Sequence, residues 1–287
     1  MNKKYTAEEL DLLHAELYDI LGETIRVCQK HNIPYFVIGG TAIGALYDQA
    51  ILPWDDDIDI GMTRENYNKF LKVAPGELGP SYFLSWIETD PHTPYYFAKV
   101  KKNDTLFVEE MFKNVPMHPG IFVDIFPFDR IPDNKLLRKL QYDAAGFLKC
   151  CLMGKEIWMW KHFGTCEIEN PTNRGAFSCF LNRVVDLLFS KKAIYRMLVS
   201  VQSCFNSRNT RYYNNVMATA DHVTVESIRH LQPVKFGPLT VTAPDDLEGF
   251  LRYNYPTLHR FTEEEQEKVN NHYPAALSFS TTPKQEL

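Results

Sequence analysis

Nowhere in this chain of 287 residues does an apolar run reach the length needed to cross a bilayer. Met1 to Glu16 is polar and acidic, without the positive start and apolar stretch of a secretion signal, so the cytoplasm is the expected compartment. The six cysteines, at positions 28, 150, 151, 166, 179 and 204, include no C-x-x-C pair and no Cys/His ligand spacing. That argues against zinc modules and dithiol redox chemistry, and the vicinal Cys150-Cys151 pair reads as two small hydrophobes on a helix. Cations are not in excess: 31 Lys and Arg against 36 Asp and Glu give a net charge of −5, which leaves no electrostatic case for nucleic acid. Two nucleotide-binding signatures are missing as well. The stretch GGTAIG lacks the second glycine of G-x-G-x-x-G, which excludes a Rossmann dehydrogenase, and no Gly-Lys-Ser/Thr follows to make a P-loop. Internal repeats and low-complexity segments are absent too. What remains is a chain of ordinary globular composition, 45% hydrophobic and 23% charged, long enough to bury a sizeable core.

Against that background one stretch stands out, FVIGGTAIGALYDQAILPWDDDIDIGM at residues 36–62. Phe36 to Ile38 is a short apolar run ending at Gly39 and Gly40, where a chain turns without a Cβ clash. Thr41 is placed to cap a helix over Ala42 to Leu46, whose first N–H groups would point outward toward an anion. After Pro53 and Trp54 comes the run Asp55-Asp56-Asp57-Ile58-Asp59-Ile60. Read as a strand, it puts Asp57 and Asp59 on one face and Ile58 and Ile60 on the other. Paired carboxylates repel and raise each other's pKa unless a cation sits between them, and Mg²⁺ or Mn²⁺ suits oxygen ligands of this kind. A phosphate-cradling turn just before such a pair suggests metal-assisted transfer at phosphorus. The bland alternative is an acidic surface loop whose glycines serve only the turn.

The rest of the chain supplies a frame. Thr6 and Glu9 make a capping box for a helix over residues 7–30, with Leu10, Leu13, Leu17, Ile20, Leu21 and Cys28 on one face. His14 and His31 read as surface or cap residues. Thr63 can cap a second helix with Tyr67, Phe70 and Leu71 inward, and strands are expected at Tyr82–Trp86 and Tyr95–Val100. Lys99 and Lys101 share a strand parity, so one of them could neutralise a transferred phosphate, or both could guard a solvated edge strand. In GIFVDIFPFD, residues 120–129, Asp124 interrupts an apolar run and is costly to bury without a partner or a metal. Asp129, after Pro127, is expected in the following loop. Residues 135–154 and 176–205 have helical spacing, and the stripe of Phe177, Phe180, Leu181, Val184, Leu188 and Val201 beside Arg183, Lys191, Lys192 and Arg196 suits either core packing or a peripheral membrane contact. Residues 236–256 read as a strand, a Pro-Asp-Asp cap and a helix, and residues 277–287 as a disordered tail.

The segments GGTAIGAL and ILPWDDDIDIGM strongly resemble the signature of the LicD family, bacterial phosphocholine transferases related to fukutin and the fukutin-related protein. Lys99-Val100-Lys101-Lys102-Asn103-Asp104-Thr105, the Asp-Ile-Phe-Pro of residues 124–127 and the strand-to-helix element at 236–256 resemble further family elements. The resemblance covers roughly residues 27–255 and departs from the family at Tyr47-Asp48-Gln49, where members commonly carry an arginine followed by a basic residue or histidine. It implies an α/β (α+β) fold with a nucleotidyltransferase-like mixed sheet, flanking helices and a helical C-terminal part. Residues 1–32 would be a helix packed on the core, 33–133 the catalytic core and 134–276 the mostly helical part of the same domain. It also implies a transferase moving a phospho-alcohol from a CDP-linked donor to a glycan at the inner face of the membrane. Asp57, Asp59 and Asp124 would hold the metal, and Gly39, Gly40, Thr41, Trp54, Lys99 and Lys101 would bind substrate. For a choline group, Trp54, Tyr47, Trp86, Tyr95 and Tyr96 are candidate cage aromatics, with ordinary core packing as the alternative. Two other readings stay open: a nucleotidyltransferase acting on a protein, RNA or small molecule, and a non-catalytic binding module.

Overall fold

The computed structural model of the chain describes residues 4–162, 184–185, 187–215, 222–267, 269 and 273–280. It opens with helix α1 (Ala7–Lys30), whose capping box forms as the sequence predicts. Thr6 Oγ1 accepts the Glu9 N–H at 3.1 Å and Glu9 accepts the Thr6 N–H at 2.8 Å. Leu13, Leu17, Ile20, Leu21 and Cys28 are buried on its inner face against the sheet, with Leu10 half-buried.

The sheet explains why this chain has a site at all. Strands β1 (Phe36–Val37), β2 (Asp59–Thr63), β3 (Tyr82–Ser85), β4 (Ala98–Lys102) and β6 (Phe122–Ile131) run in the order β1-β2-β6-β4-β3. β2 and β6 are parallel, the other pairs antiparallel. Helices α2 (Gly39–Tyr47) and α3 (Arg64–Glu77) flank the sheet. Ile58, Ile60 and Met62 are fully buried and fix which side of β2 faces the core, at roughly 1.5–3 kcal/mol for each such side chain. Gly61 lies between the rings of Phe36 and Phe128, where a Cβ would fall 2.7 Å from each, so only glycine lets the three strands close. The register sets Asp59 opposite Asp124, and Asp124 opposite Lys99. Three chemically active side chains therefore share one row across three neighbouring strands.

Several expectations shift. The strand carrying the acidic pair begins only at Asp59; residues 55–58 are irregular, led by a turn in which the Asp55 N–H donates to the Leu52 carbonyl at 2.9 Å. The expected strand at Tyr95–Val100 is Ala98–Lys102, and β4 lies between β3 and β6, so the lysines are not on an edge. Asp129 is not in a loop: β6 continues through Pro127 to Ile131 and pairs there with β7 (Tyr212–Asn214), which pairs in turn with β8 (His222–Thr224). The C-terminal part thus adds strands as well as helices, including the hairpin of β9 (Leu231–Phe236) and β10 (Leu239–Pro244). Asp246 caps the helix Leu247–Asn254, close to the expected strand, cap and helix.

Helix α4 (Lys135–His162) packs on the helix Lys191–Ser203. Phe177, Phe180 and Leu181 of the amphipathic stripe lie outside the described residues. The start of the expected tail is held in place: Ala276–Ser278 pairs with the strand β5 (Leu106–Val108), Ser280 donates from both N and Oγ to Glu16 at 3.0 and 2.8 Å, and residues 281–287 lie outside the described residues. Among the described residues no helix is long and apolar enough to cross a membrane.

Candidate active site

The site is built where α2 meets the start of β2. α2 opens at Gly39, which has φ +54°, and Ile38 precedes it without a side-chain cap. The first N–H groups, those of Gly39, Gly40 and Thr41, therefore lack intrahelical acceptors and carry the positive end of the helix dipole. Thr41 is not the N-cap. It lies inside the first turn, and its Oγ1 accepts the Asp59 N–H at 2.8 Å, tying the helix start to β2. The glycines matter for space: a Cβ on Gly40 would fall 2.5 Å from Asp55 Oδ2, and one on Gly39 3.5 Å from Asp59 Oδ2. Carboxylates thus approach the helix N-terminus as closely as a backbone without side chains allows.

Asp55, Asp56 and Asp57 offer oxygens that all lie within 4.8 Å of one another. His14 donates from Nε2 to the Asp55 carbonyl at 2.8 Å and Tyr5 donates to Asp56 at 2.9 Å, so both residues hold the acidic loop. Asp59 has its pKa pushed well above the usual carboxylate range by burial and then by Asp57, Asp124 and Asp55, with Lys99 opposing. Burial and the charges of Asp57 and Asp56 raise Asp55 to about 8. Asp124 rises to about 6 through burial, restrained by Lys99. Lys99 Nζ lies 2.8 Å from Asp124 Oδ1 and hydrogen-bonds Oδ2 at 3.0 Å, while resting 3.3 Å from the centre of the Phe122 ring. Asp124 Oδ1 is buried without an aligned donor. Buried, hard and mutually repelling oxygen donors, only one of them faced by a lysine, fit a divalent cation.

Sequence reasoning missed one carboxylate. Glu109, just after β5, accepts a hydrogen bond from Tyr95 and is raised to about 8 by burial and by Asp124, Asp57 and Asp56. Its charge is felt by the same carboxylates, yet in Val108-Glu109-Glu110-Met111 no alternation or spacing marks it. The two lysines separate. Lys99 is in the mouth, whereas Lys101 is buried one layer back, donates to the His118 carbonyl at 2.5 Å and is lowered to about 7 by burial and by Lys99. Asp129 is structural: Arg64 and Asn206 both bind it, Arg64 Nη2 at 2.5 Å. The candidate cage aromatics do not form one cage. Trp54 and Tyr47 line a cleft beside the mouth, Tyr95 belongs to the Glu109 side, and Tyr96 is buried, donating to the Asn215 carbonyl at 3.0 Å.

Residues 32–147 match the family described as LicD/FKTN/FKRP, nucleotidyltransferase domain. They are a LicD-family domain. Over 196 residues the chain is 29% identical to the lipopolysaccharide cholinephosphotransferase LicD of Haemophilus influenzae, a match covering 66% of each chain. An uncharacterised protein of Rickettsia typhi is 29% identical over 140 residues, 49% of this chain and 42% of its own. One from Rickettsia prowazekii is 37% identical over 59 residues, 21% of this chain and 22% of its own. The chain thus spans just under two thirds of the first relative's length and less than half of the others'. The LicD-family domain contains the glycine turn, the Asp55–Asp59 run, Lys99, Glu109 and Asp124. His14, Tyr5 and the segment around Phe261 lie outside it.

Proposed function

We propose that the protein is a metal-dependent transferase that moves a phospho-alcohol, phosphocholine foremost, from a CDP-linked donor to a glycan such as lipopolysaccharide. The observation that carries the reading is the carboxylate cluster held against a glycine-opened helix N-terminus, and the likeness to a lipopolysaccharide cholinephosphotransferase supports it. Asp57, Asp59 and Asp124, with Asp55 beside them, would hold Mg²⁺ or Mn²⁺; when bound, the ion neutralises charge on the donor pyrophosphate. The N–H groups of Gly39, Gly40 and Thr41 would receive pyrophosphate oxygens. Lys99, pinned by Asp124 and the Phe122 ring, would supply positive charge to the transferring phosphoryl without reorganising. The acceptor hydroxyl attacks phosphorus in line, a P–O bond forms as the bond to CMP breaks, and a carboxylate of the mouth takes the hydroxyl proton.

The test is a panel of CDP-, UDP- and ADP-linked donors with lipopolysaccharide acceptor and Mg²⁺ or chelator. Cation-dependent CMP release from a CDP-linked donor is expected. Turnover of ATP with indifference to every CDP donor would overturn the donor class and favour a nucleotidyltransferase of another kind.

A further inference from the structure

A cleft of about 240 Å³ leads out of the acidic mouth along α2. Gly40, Ile43 and Tyr47 form its floor, at spacings that put them on one helix face. Gly40 and Asp55 close it at the mouth, and Asp48 and Arg260 at the far end. At the helical rise of about 1.5 Å per residue, those ends are about 12 Å apart. That is roughly the reach of a nucleotide from its phosphates to its base.

The walls come from two distant parts of the chain. Trp54, from the acidic loop, and Phe261, from the C-terminal part, lie with ring centres 5.6 Å apart and planes 6° from parallel. The two rings are stacked, so that a planar ligand would have an outer aromatic face to lie on. Beyond it, Arg260 Nη2 donates to Asp48 Oδ1. That ion pair, beyond the apolar stretch of Ile43, Leu52, Pro53 and the two rings, presents a hydrogen-bond acceptor and a forked donor side by side.

Three ligand chemistries can be weighed against that end. A quaternary ammonium makes no hydrogen bonds and would be repelled by Arg260. A phosphate would be repelled by Asp48, which already takes one arm of the Arg260 guanidinium. A neutral planar ring with donors and acceptors along one edge uses everything present. Cytosine offers an exocyclic amino donor beside a ring-nitrogen acceptor and a carbonyl acceptor. Its amino group suits a carboxylate, and its two acceptors suit the guanidinium fork. Uracil puts a carbonyl where the amino group would be, and so sets an oxygen against the carboxylate.

We propose that this cleft seats the cytosine ring of the donor nucleotide, with Asp48 accepting from its amino group and Arg260 donating to its ring nitrogen and carbonyl. The inference rests on the reading of the protein as a transferase using a CDP-linked donor. It gives the departure at Tyr47-Asp48-Gln49 a purpose, since Asp48 recruits a guanidinium from a segment outside the LicD-family domain.

The experiment is calorimetric titration of the full-length protein in Mg²⁺ with CMP and with UMP, beside thermal melting of each variant. The parent should bind CMP about tenfold or more tightly than UMP, the discrimination expected of one good polar pairing. Arg260→Ala and Asp48→Ala should each lose about tenfold in CMP affinity and bring CMP and UMP close to parity, with little change in melting temperature. Arg260→Lys should fail to restore the preference, because an ammonium has no fork. A parent that binds CMP while both alanine variants bind it equally well would overturn the cleft assignment and leave the donor class standing. A parent that binds no CMP and releases none from any CDP-linked donor would overturn both.

Discussion

Asp55, Asp59, Asp124 and Glu109 all hold their protons more tightly than free carboxyls, because each is buried among the others. This fixes the sign of the pH dependence. A carboxyl whose pKa is raised by folding binds more protons in the folded than in the unfolded state, so its stabilisation is full below the unfolded value and is lost as pH rises through the folded value. Asp124 reaches about 6, and Asp55 and Glu109 about 8. Lys101, lowered to about 7, works the other way above that pH. The metal-free protein should therefore lose stability as pH rises between about 5 and 7, and Mg²⁺ should flatten the slope by binding the ionised, folded form. Thermal melting across that range, in chelator and in Mg²⁺, checks this. Glu109→Gln keeps an acceptor for Tyr95 and removes one charge, so its chelator profile should be shallower and its melting temperature at pH 8 no lower than the parent's. Identical slopes for parent and variant would remove Glu109 from the mouth. Asp124 was legible in the sequence because an apolar run surrounds it; Glu109 was not, because its burial is created entirely by β5, Tyr95 and the distant aspartates.

Elements decide which of these side chains meet. Turn and alternation pointed to the right stretch, yet the parity argument for Asp57 and Asp59 does not describe what holds them. Asp59 is on β2 and is set by its register with Asp124, whereas Asp57 belongs to an irregular acidic loop held by Tyr5 and His14 from α1 and its approach. Gly40→Ala tests the contact between helix start and loop. The new Cβ would meet the Asp55 carboxylate, the end of a flexible side chain, so stability should change by less than about 1 kcal/mol while CMP release falls about tenfold or more. Parental activity in that variant would mean the loop need not touch the helix. Asp129 contrasts with this. It followed a proline in the sequence and suggested a loop; in the fold it neutralises buried Arg64, which also reaches Gln202 on the helix Lys191–Ser203. Asp129→Ala strands that guanidinium and should cost about 3–5 kcal/mol in urea unfolding. The folded fraction should keep the parent's metal response, because Asp129 is no part of the mouth.

At the scale of the molecule, the site is a junction of segments far apart in the chain. Tyr5 and His14 come from the start, the glycine turn and acidic run from residues 39–59, Lys99 and Glu109 from around β4 and β5, and Asp124 from β6. The wall bearing Arg260 and Phe261 comes from the C-terminal part. The segment 273–280 is bound in as well, since Tyr273 donates to Glu9 at 2.7 Å and Ala276–Ser278 pairs with β5 beside Glu109. Motif and pattern exposed the portion inside the LicD-family domain. The outer wall stayed hidden because short, polar C-terminal segments acquire their meaning only through partners more than two hundred positions away. The central claim is that this junction stores carboxylate repulsion that a bound cation relieves and chemistry uses. The measurement that tests it most directly is melting of the parent and of Asp59→Asn in chelator and in excess Mg²⁺, with CMP release from a CDP-linked donor followed on the same samples. The metal-free variant should be at least as stable as the parent, Mg²⁺ should raise the melting temperature of the parent alone, and the variant should be inactive. A variant destabilised without metal that still responds to Mg²⁺ and still releases CMP would contradict it.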